Sequence, residues 1–285
     1  MADLYEMLQQ RIVSWAREND EIQTIYLMGS RARTDKPFDE FSDLDIVIYS
    51  TNPNYYFEHN DWLNNIGEVW TSFMYRTAGE DPEKLVLFGG GLQVDFLFCP
   101  IAELERLAAV GQVPQGFKRG VKLLLDKTGE GDKLIPETAG PDLPPPITEA
   151  AFQQVARQYG FACLYVAKQI LRGELWVAGE RDHDCKQLLL QMMEWHAKAI
   201  HGQNYDTWHA GKFIRDWADA EVIADLKQSF GGFDQLASWK ALNVSFELFN
   251  RLSLETAQVY HYDYPHSLYA NIKMWLQARQ VEKDN

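Results

Sequence analysis

Residues 26–49 have the sequence YLMGSRARTDKPFDEFSDLDIVIY, which predicts a strand, a tight turn, a polar loop and a second strand. Asp43 and Asp45 stand two residues apart at the start of the second strand, so their side chains are expected on the same face. Two adjacent carboxylates repel each other unless a cation lies between them. Their hard oxygen ligands suit Mg²⁺, and the pair therefore predicts a magnesium site.

The turn before the acidic pair, Gly29-Ser30, is suited to holding phosphate. Glycine lets the backbone approach a ligand closely, and the turn amides with the serine hydroxyl can bind phosphate oxygens. Gly-Ser, a spacer (residues 31–42) and then Asp-x-Asp resembles the pattern of the nucleotidyltransferase fold shared with DNA polymerase β. The alternative is a surface turn followed by a solvated acidic strand, but the two motifs in this order favour a nucleotide site.

A third acid, Asp95, lies within the apolar run LQVDFLF at residues 92–98. A lone carboxylate there is costly unless it is paired or bound to a metal, although alternation also permits the solvent face of an edge strand. In the fold that the chain resembles, a third carboxylate comes from a neighbouring strand and faces the Asp-x-Asp pair. Asp95 is therefore expected to be a metal ligand or the general base, and the sequence leaves both roles open.

The clearest linker is GPDLPPP at residues 140–146, because a proline run is stiff and cannot continue a helix or a sheet. We predict a nucleotidyltransferase domain at 1–140, a linker at 141–147 and a helical domain for substrate and nucleotide at 148–285. The fold class is thus α+β, with a mixed β-sheet flanked by helices and then a helical bundle. Predicted elements are helices at 3–19, 62–66, 100–107, 148–172, 182–200, 211–219, 220–229, 233–260 and 267–280, a turn at 52–54, and strands at 69–76, 84–89 and 92–98.

The 285 residues carry a formal charge of -14, which argues against a nucleic-acid polymer as partner. This charge favours either a polycationic partner or solubility alone. Cys99, Cys163 and Cys185 lack metal-ligand spacing and are expected to be reduced thiols. With an acidic N-terminus and no run long enough to span a bilayer, the chain is expected to be cytoplasmic and without a membrane partner. A monomer is also expected.

Further segments distributed along the chain carry a more specific resemblance. They are DWL at 61–63, VDFLF at 94–98, LLDKTG at 124–129, VAKQILRGEL at 166–175, LLLQMMEWH at 188–196, GKFI at 211–214, WKAL at 239–242 and FELF at 246–249. With the site motifs, they make the chain resemble the aminoglycoside 6-adenylyltransferases, or streptomycin adenylyltransferases, over nearly its whole length. The sequence departs from that pattern at Met28, where a glutamate is expected, and it fits loosely at 176–186.

The resemblance implies Mg²⁺-dependent transfer of AMP from ATP to a hydroxyl of an aminoglycoside such as streptomycin, with release of pyrophosphate and resistance to the antibiotic. The three acids would bind the metal, and Gly29 and Ser30 would hold the β- and γ-phosphates. Arg31 would either contact phosphate or cap the turn at the surface. Lys168 and Lys212 would reach the triphosphate from the helical domain.

The acceptor implied by the resemblance is a small polycation lodged between the two domains. Carboxylates and aromatic faces would bind its charges and rings, and the candidates are Glu174, Asp182, Asp184, Trp62 and Trp176. One alternative keeps the fold and changes the acceptor to another aminoglycoside, a lincosamide or a protein hydroxyl. A second alternative is a non-catalytic nucleotide-binding or toxin–antitoxin module, and the intact carboxylates argue against it.

Overall fold

A computed structural model describes residues 3–76, 81–141 and 143–279. The chain divides into two compact units, Met1–Asp142 and Leu143–Asn285. The first unit contains a mixed sheet with flanking helices and the second is helical, which confirms the predicted α+β fold class. In the predicted linker 141–147, the described residues form no helix or strand, and Asp142 lies outside them.

The first unit is built on a six-stranded sheet with the order β3-β4-β5-β2-β1-β6. Strands β2 and β5 are parallel, and the other neighbouring pairs are antiparallel. Its elements are α1 (Leu4–Arg17), β1 (Ile22–Met28), β2 (Leu44–Ser50), α2 (Pro53–Glu58), β3 (Val69–Arg76), β4 (Pro82–Phe88), β5 (Leu92–Pro100), α3 (Ile101–Val110) and β6 (Lys122–Asp126). Short 3₁₀ turns cover Gly29–Arg31, Asp61–Asn65, Gln115–Phe117 and Gly131–Leu134.

Alternation along the strands gives the sheet two faces with different neighbours. On one face, Ile46 and Phe96 belong to a core shared with α1, α2 and the Asp61–Asn65 turn. On the other face, Val47 belongs to a smaller core that includes α3. Asp45 and Asp95 alternate with the residues of the first core, so their side chains belong to the α3 face.

The second unit is a bundle of six helices within residues 143–279, namely α4 (Glu149–Leu171), α5 (Leu175–His201), α6 (Ile214–Trp217), α7 (Ala220–Gln228), α8 (Gln235–Tyr260) and α9 (His266–Gln277). Thr148 caps α4 by accepting a hydrogen bond from the Ala151 amide at 3.2 Å. In the core, the rings of Tyr159 and Phe249 stack with centroids 3.7 Å apart. None of the described helices is both long and apolar enough to cross a membrane.

Four local predictions differ from the structure. The helix predicted at 211–219 covers only Ile214–Trp217, because Phe213 is left-handed at φ 54° and Ala218 is extended. Pro53, predicted within a turn, is the first residue of α2, where its fixed φ and missing amide hydrogen are tolerated. Trp62 and Leu63 lie in a 3₁₀ turn, not in an α-helix. Helix α5 begins at Leu175, seven residues before the predicted start, because Ala178 and Cys185 continue its buried stripe through a polar segment.

Candidate active site

The three acids predicted from the sequence converge on one end of the sheet. Asp43 directly precedes β2, Asp45 is the second residue of that strand, and Asp95 is its direct partner on the parallel strand β5. One carboxylate oxygen from each acid can be chosen so that all three lie within 4.8 Å of one another. Each side chain is partly buried, so the arrangement is a preformed set of hard oxygen ligands.

Asp43 and Asp95 lie close enough for their charges to interact. Burial raises the pKa of Asp95, and the nearby charge of Asp43 raises it further. Within the described residues, neither acid forms an ion pair with a lysine or an arginine. The side-chain amide of Gln93 donates a hydrogen bond to Asp95 Oδ1 at 3.1 Å, which favours the ionised carboxylate.

The Gly-Ser turn lies against one of these acids. Gly29 has φ +71°, and a Cβ atom built on it would stand 1.8 Å from Asp45 Oδ2, so only glycine fits there. The adjacent Ser30 hydroxyl is buried and has no hydrogen-bond partner within the described residues. A buried hydroxyl left without a partner is costly, and a ligand with acceptor oxygens such as phosphate would satisfy it. The residues present therefore fit a metal-bound triphosphate.

Arg31 has a different task from either of the two predicted for it. Its guanidinium is buried, with Nη1 donating to Asp3 Oδ2 at 2.7 Å and Nε donating to the Ser42 carbonyl at 2.8 Å. The rings of Tyr5 and Phe38 lie 4.3 and 4.7 Å from the guanidinium carbon. These contacts connect the start of α1 to the loop before the metal-site acids. Arg31 therefore has a structural role in place of the two predicted roles, which were a contact with phosphate and a cap of the turn at the surface.

The prediction that Trp62 stacks on the acceptor is also wrong, because this side chain is only 3% exposed. Its ring stacks on Trp15 with centroids 5.0 Å apart, and its Nε1 donates to the His59 carbonyl at 3.0 Å. It lies on the face of the sheet opposite the acids. Stacking on an acceptor molecule is therefore excluded, since the indole is part of the core.

The remaining predicted residues lie in the helical unit. Lys168 on α4 and Lys212 in the loop before α6 are exposed. Glu174 immediately precedes α5, and Trp176 on the first turn of that helix is 74% exposed. All four side chains are available to a ligand, while their assignment to the triphosphate or the acceptor remains a prediction.

Two of the predicted acceptor-binding acids are paired within α5. Both carboxylate oxygens of Asp182 accept hydrogen bonds from Lys186 Nζ, at 2.8 and 2.9 Å. Asp184 forms a more exposed pair with Arg181 at 3.3 Å. A cationic ligand would have to compete with Lys186 for Asp182, whereas the exposed pair is easily exchanged.

A model of the streptomycin adenylyltransferase family matches residues 1–279. The chain belongs to the streptomycin adenylyltransferase family. This confirms the family and enzyme class predicted from the motifs. The protein named aminoglycoside 6-adenylyltransferase from Campylobacter jejuni is 26% identical over 262 residues, covering 89% of this chain and 88% of the relative. The Bacillus subtilis protein of that name is 25% identical over 266 residues, covering 89% and 90%.

A protein of the same name from Staphylococcus aureus is 23% identical over 271 residues, covering 89% of this chain and 91% of the relative. Among solved structures, the chain is similar to an aminoglycoside 6-adenyltransferase from Bacillus subtilis. That match has 19% identity, a TM-score of 0.45 and 97% coverage of both chains.

In this member of the streptomycin adenylyltransferase family, two residues beside the three acids were not predicted from the sequence. Gln93 stands two residues before Asp95 on β5, and strand alternation alone could have placed it on the same face. Glu83 lies on β4, where burial raises its pKa, with further contributions from the charges of Asp95 and Asp43. Its proximity depends on the antiparallel pairing of β4 with β5, which the Gly89-Gly90-Gly91 turn between the two strands could have indicated.

Proposed function

We propose that this protein transfers AMP from ATP to a hydroxyl of an aminoglycoside such as streptomycin, with release of pyrophosphate. The observation that carries the proposal is the approach of three carboxylates to within 4.8 Å beside a Gly-Ser turn with an unsatisfied buried hydroxyl. Family membership supports the same chemistry. The relatives' name, aminoglycoside 6-adenylyltransferase, supports an aminoglycoside as the acceptor.

Asp43, Asp45 and Asp95 would hold Mg²⁺, which supplies neutralisation of the triphosphate charge when it is bound. The buried hydroxyl of Ser30 donates to a phosphate oxygen, and Gly29 allows the turn to approach without a clash. Asp95 would also accept the proton of the attacking hydroxyl, since its carboxylate lies beside the other two acids at the expected metal position. The bond that forms joins the acceptor oxygen to the α-phosphorus as the pyrophosphate leaves in line.

The helical unit, residues 143–285, is proposed to contribute to binding of both substrates. Lys168 and Lys212 would bind the triphosphate as exposed cations. Glu174 and Trp176 would bind charges and ring faces of the acceptor, since both are exposed at the start of α5. We place the reaction in the cytoplasm, where ATP is available.

Mass spectrometry of streptomycin incubated with the protein, ATP and Mg²⁺ tests the proposal. The expected product carries one added adenylate, together with equimolar pyrophosphate. Asp45→Asn should abolish transfer while leaving the folded protein intact, because it removes one charged metal ligand. Transfer to a lincosamide or a protein hydroxyl, with streptomycin unmodified, would show that the proposed acceptor is wrong. Full activity of Asp45→Asn would remove this acid from the metal site.

A further inference from the structure

The catalytic acids share their face of the sheet with an apolar and acidic surface that extends to the edge strand. Strand pairing places Asp95 opposite Leu85 of β4, and Leu85 opposite Phe73 of β3. In the next row, Glu83 of β4 lies opposite Tyr75 of β3. Directly paired residues present their side chains on the same face, so all five belong to the side of the sheet that carries the metal-site acids.

The outer part of this face is accessible. Phe73 is 55% exposed and Tyr75 is 56% exposed, although both are large aromatic residues. Helix α3 packs over the inner strands, where Tyr26, Val47 and Tyr49 form a core with it. Two aromatic rings are thus presented beside the acids without serving the hydrophobic core.

Glu83 is half-buried in the same surface and its charge is not used by the fold. It forms no ion pair and no side-chain hydrogen bond within the described residues. Burial raises its pKa, and the charges of Asp95 and Asp43 act in the same direction. A carboxylate held near other acids destabilises the folded state unless a cation binds there. Such unfavourable placement of acids is common at functional sites.

We propose that Glu83, Phe73 and Tyr75 form a subsite for the acceptor, in which Glu83 pairs with an ammonium or guanidinium group and the rings stack on the amino sugar. This inference rests on the proposed function and names the surface that selects a cationic acceptor. Diagonal neighbours on adjacent strands are about 7–8 Å apart, so Glu83 and Asp95 can contact one acceptor molecule together. Phe73 is two strands from Asp95, roughly 10 Å away, which extends the subsite away from the metal.

Charge and shape complementarity select this occupant. An aminoglycoside is a polycation with puckered rings, and exposed aromatic faces attract both its cations and its apolar ring surfaces. A carboxylate gives charge-assisted hydrogen bonds to the same cations. Phosphate groups of ATP would be repelled by Glu83, so the surface is unsuited to the other substrate.

The experiment combines calorimetric binding of streptomycin with steady-state kinetics in the full-length protein. The test variants are Glu83→Gln and Phe73→Ala. Met74→Ala is the matched control for the aromatic change, because Met74 pairs with Lys84 and is exposed on the opposite face of the same strand. Glu58→Gln on α2, which packs on that opposite face, is the matched control for loss of one carboxylate.

Each test variant should raise the dissociation constant and KM for streptomycin about tenfold, which corresponds to a modest charge-assisted or cation–π contact. KM for ATP should change less than about twofold, and both controls should match the wild type. Glu83→Asp should restore part of the affinity. Equal increases in KM for ATP and streptomycin, or an unchanged streptomycin affinity in both test variants, would overturn the subsite.

The same data separate this inference from the proposed reaction. Binding of streptomycin that depends on Glu83, without adenylate transfer, would support the subsite and reject the reaction. Transfer with normal streptomycin affinity in Glu83→Gln and Phe73→Ala would support the reaction and reject the subsite. A wild-type protein that neither binds nor modifies streptomycin would reject both. A dimer dissociated by Phe73→Ala with unchanged streptomycin affinity would assign the surface to a second copy of the chain.

Discussion

Replacing Gly29 by alanine should disable the site while leaving most of the stability. The added Cβ would stand 1.8 Å from Asp45 Oδ2, so the carboxylate must move by at least about 1.6 Å to reach ordinary van der Waals contact. Metal coordination tolerates errors of about 0.2 Å, and a misplacement of about 1 Å can lower a rate 100-fold. We therefore expect kcat/KM for AMP transfer to fall at least about 100-fold.

The stability change has a separate and smaller cause. At φ +71°, a residue with a Cβ is strained by about 1–2 kcal/mol relative to glycine. Gly129 is a matched control, because it has φ +76° and a Cβ there would meet nothing within 4 Å. Gly129→Ala should lower the free energy of unfolding by a similar amount and leave the rate of AMP transfer unchanged. The comparison isolates the collision with Asp45 from the backbone strain.

Pyrophosphate release with ATP, Mg²⁺ and streptomycin measures the rate, titration with Mn²⁺ measures metal affinity, and calorimetry measures unfolding. Gly29→Ala should lose both rate and metal affinity, and Gly129→Ala should lose neither. If Gly29→Ala retains activity within about threefold of Gly129→Ala, the carboxylate position that the close contact enforces is irrelevant to the reaction. The turn would then have no part in organising the metal site.

Three further changes test other parts of the first unit. Asp95→Asn should abolish transfer yet raise Tm in metal-free buffer by a few degrees, since it removes a repelled charge; a lower Tm in calorimetry would contradict this. Arg31→Met should lower the free energy of unfolding by about 1–2 kcal/mol in denaturant titration, because it removes a buried guanidinium that bonds to partly exposed Asp3 and to the Ser42 carbonyl; no loss of stability would contradict the anchoring role. Burial lowers the pKa of Lys84 to about 8, so the unfolded chain binds the extra proton between pH 8 and pH 10, and stability rises there. Wild type should gain about 2 kcal/mol over Lys84→Met between pH 7.5 and pH 9.5, and parallel pH profiles would refute the shift.

The convergence of the three acids could be predicted from the sequence because their arrangement follows local rules. Asp43 and Asp45 share a face through strand alternation. Asp95 is an acid in an otherwise apolar strand, which indicates a functional carboxylate. Their convergence needed only the parallel pairing of two neighbouring strands. Chain periodicity also indicated the main helices, although the polar segment before Cys185 concealed the first turns of α5.

The misassigned and missed residues depend on distant partners. Arg31 is buried by Asp3, 28 positions away, and Trp62 is buried against Trp15, 47 positions away. Glu83 is different, since it lies near Asp95 in one β-hairpin and only the register between β4 and β5 had to be known. No window of local sequence contains the contacts of Arg31 with Asp3 or of Trp62 with Trp15, so the residue types alone suggested an exposed arginine and an accessible tryptophan.

The placement of the protein's own cations supports external cations at the site. Arg31 directly follows Ser30, and Lys84 directly follows Glu83, so each could have neutralised a neighbouring acid. Arg31 instead bonds to Asp3, and the Lys84 ammonium donates to the His59 carbonyl at 2.6 Å on the opposite face. Both are held elsewhere by hydrogen bonds, and Asp43, Asp95 and Glu83 form no ion pair with a lysine or an arginine within the described residues, so their charge is available to a metal ion and a cationic acceptor.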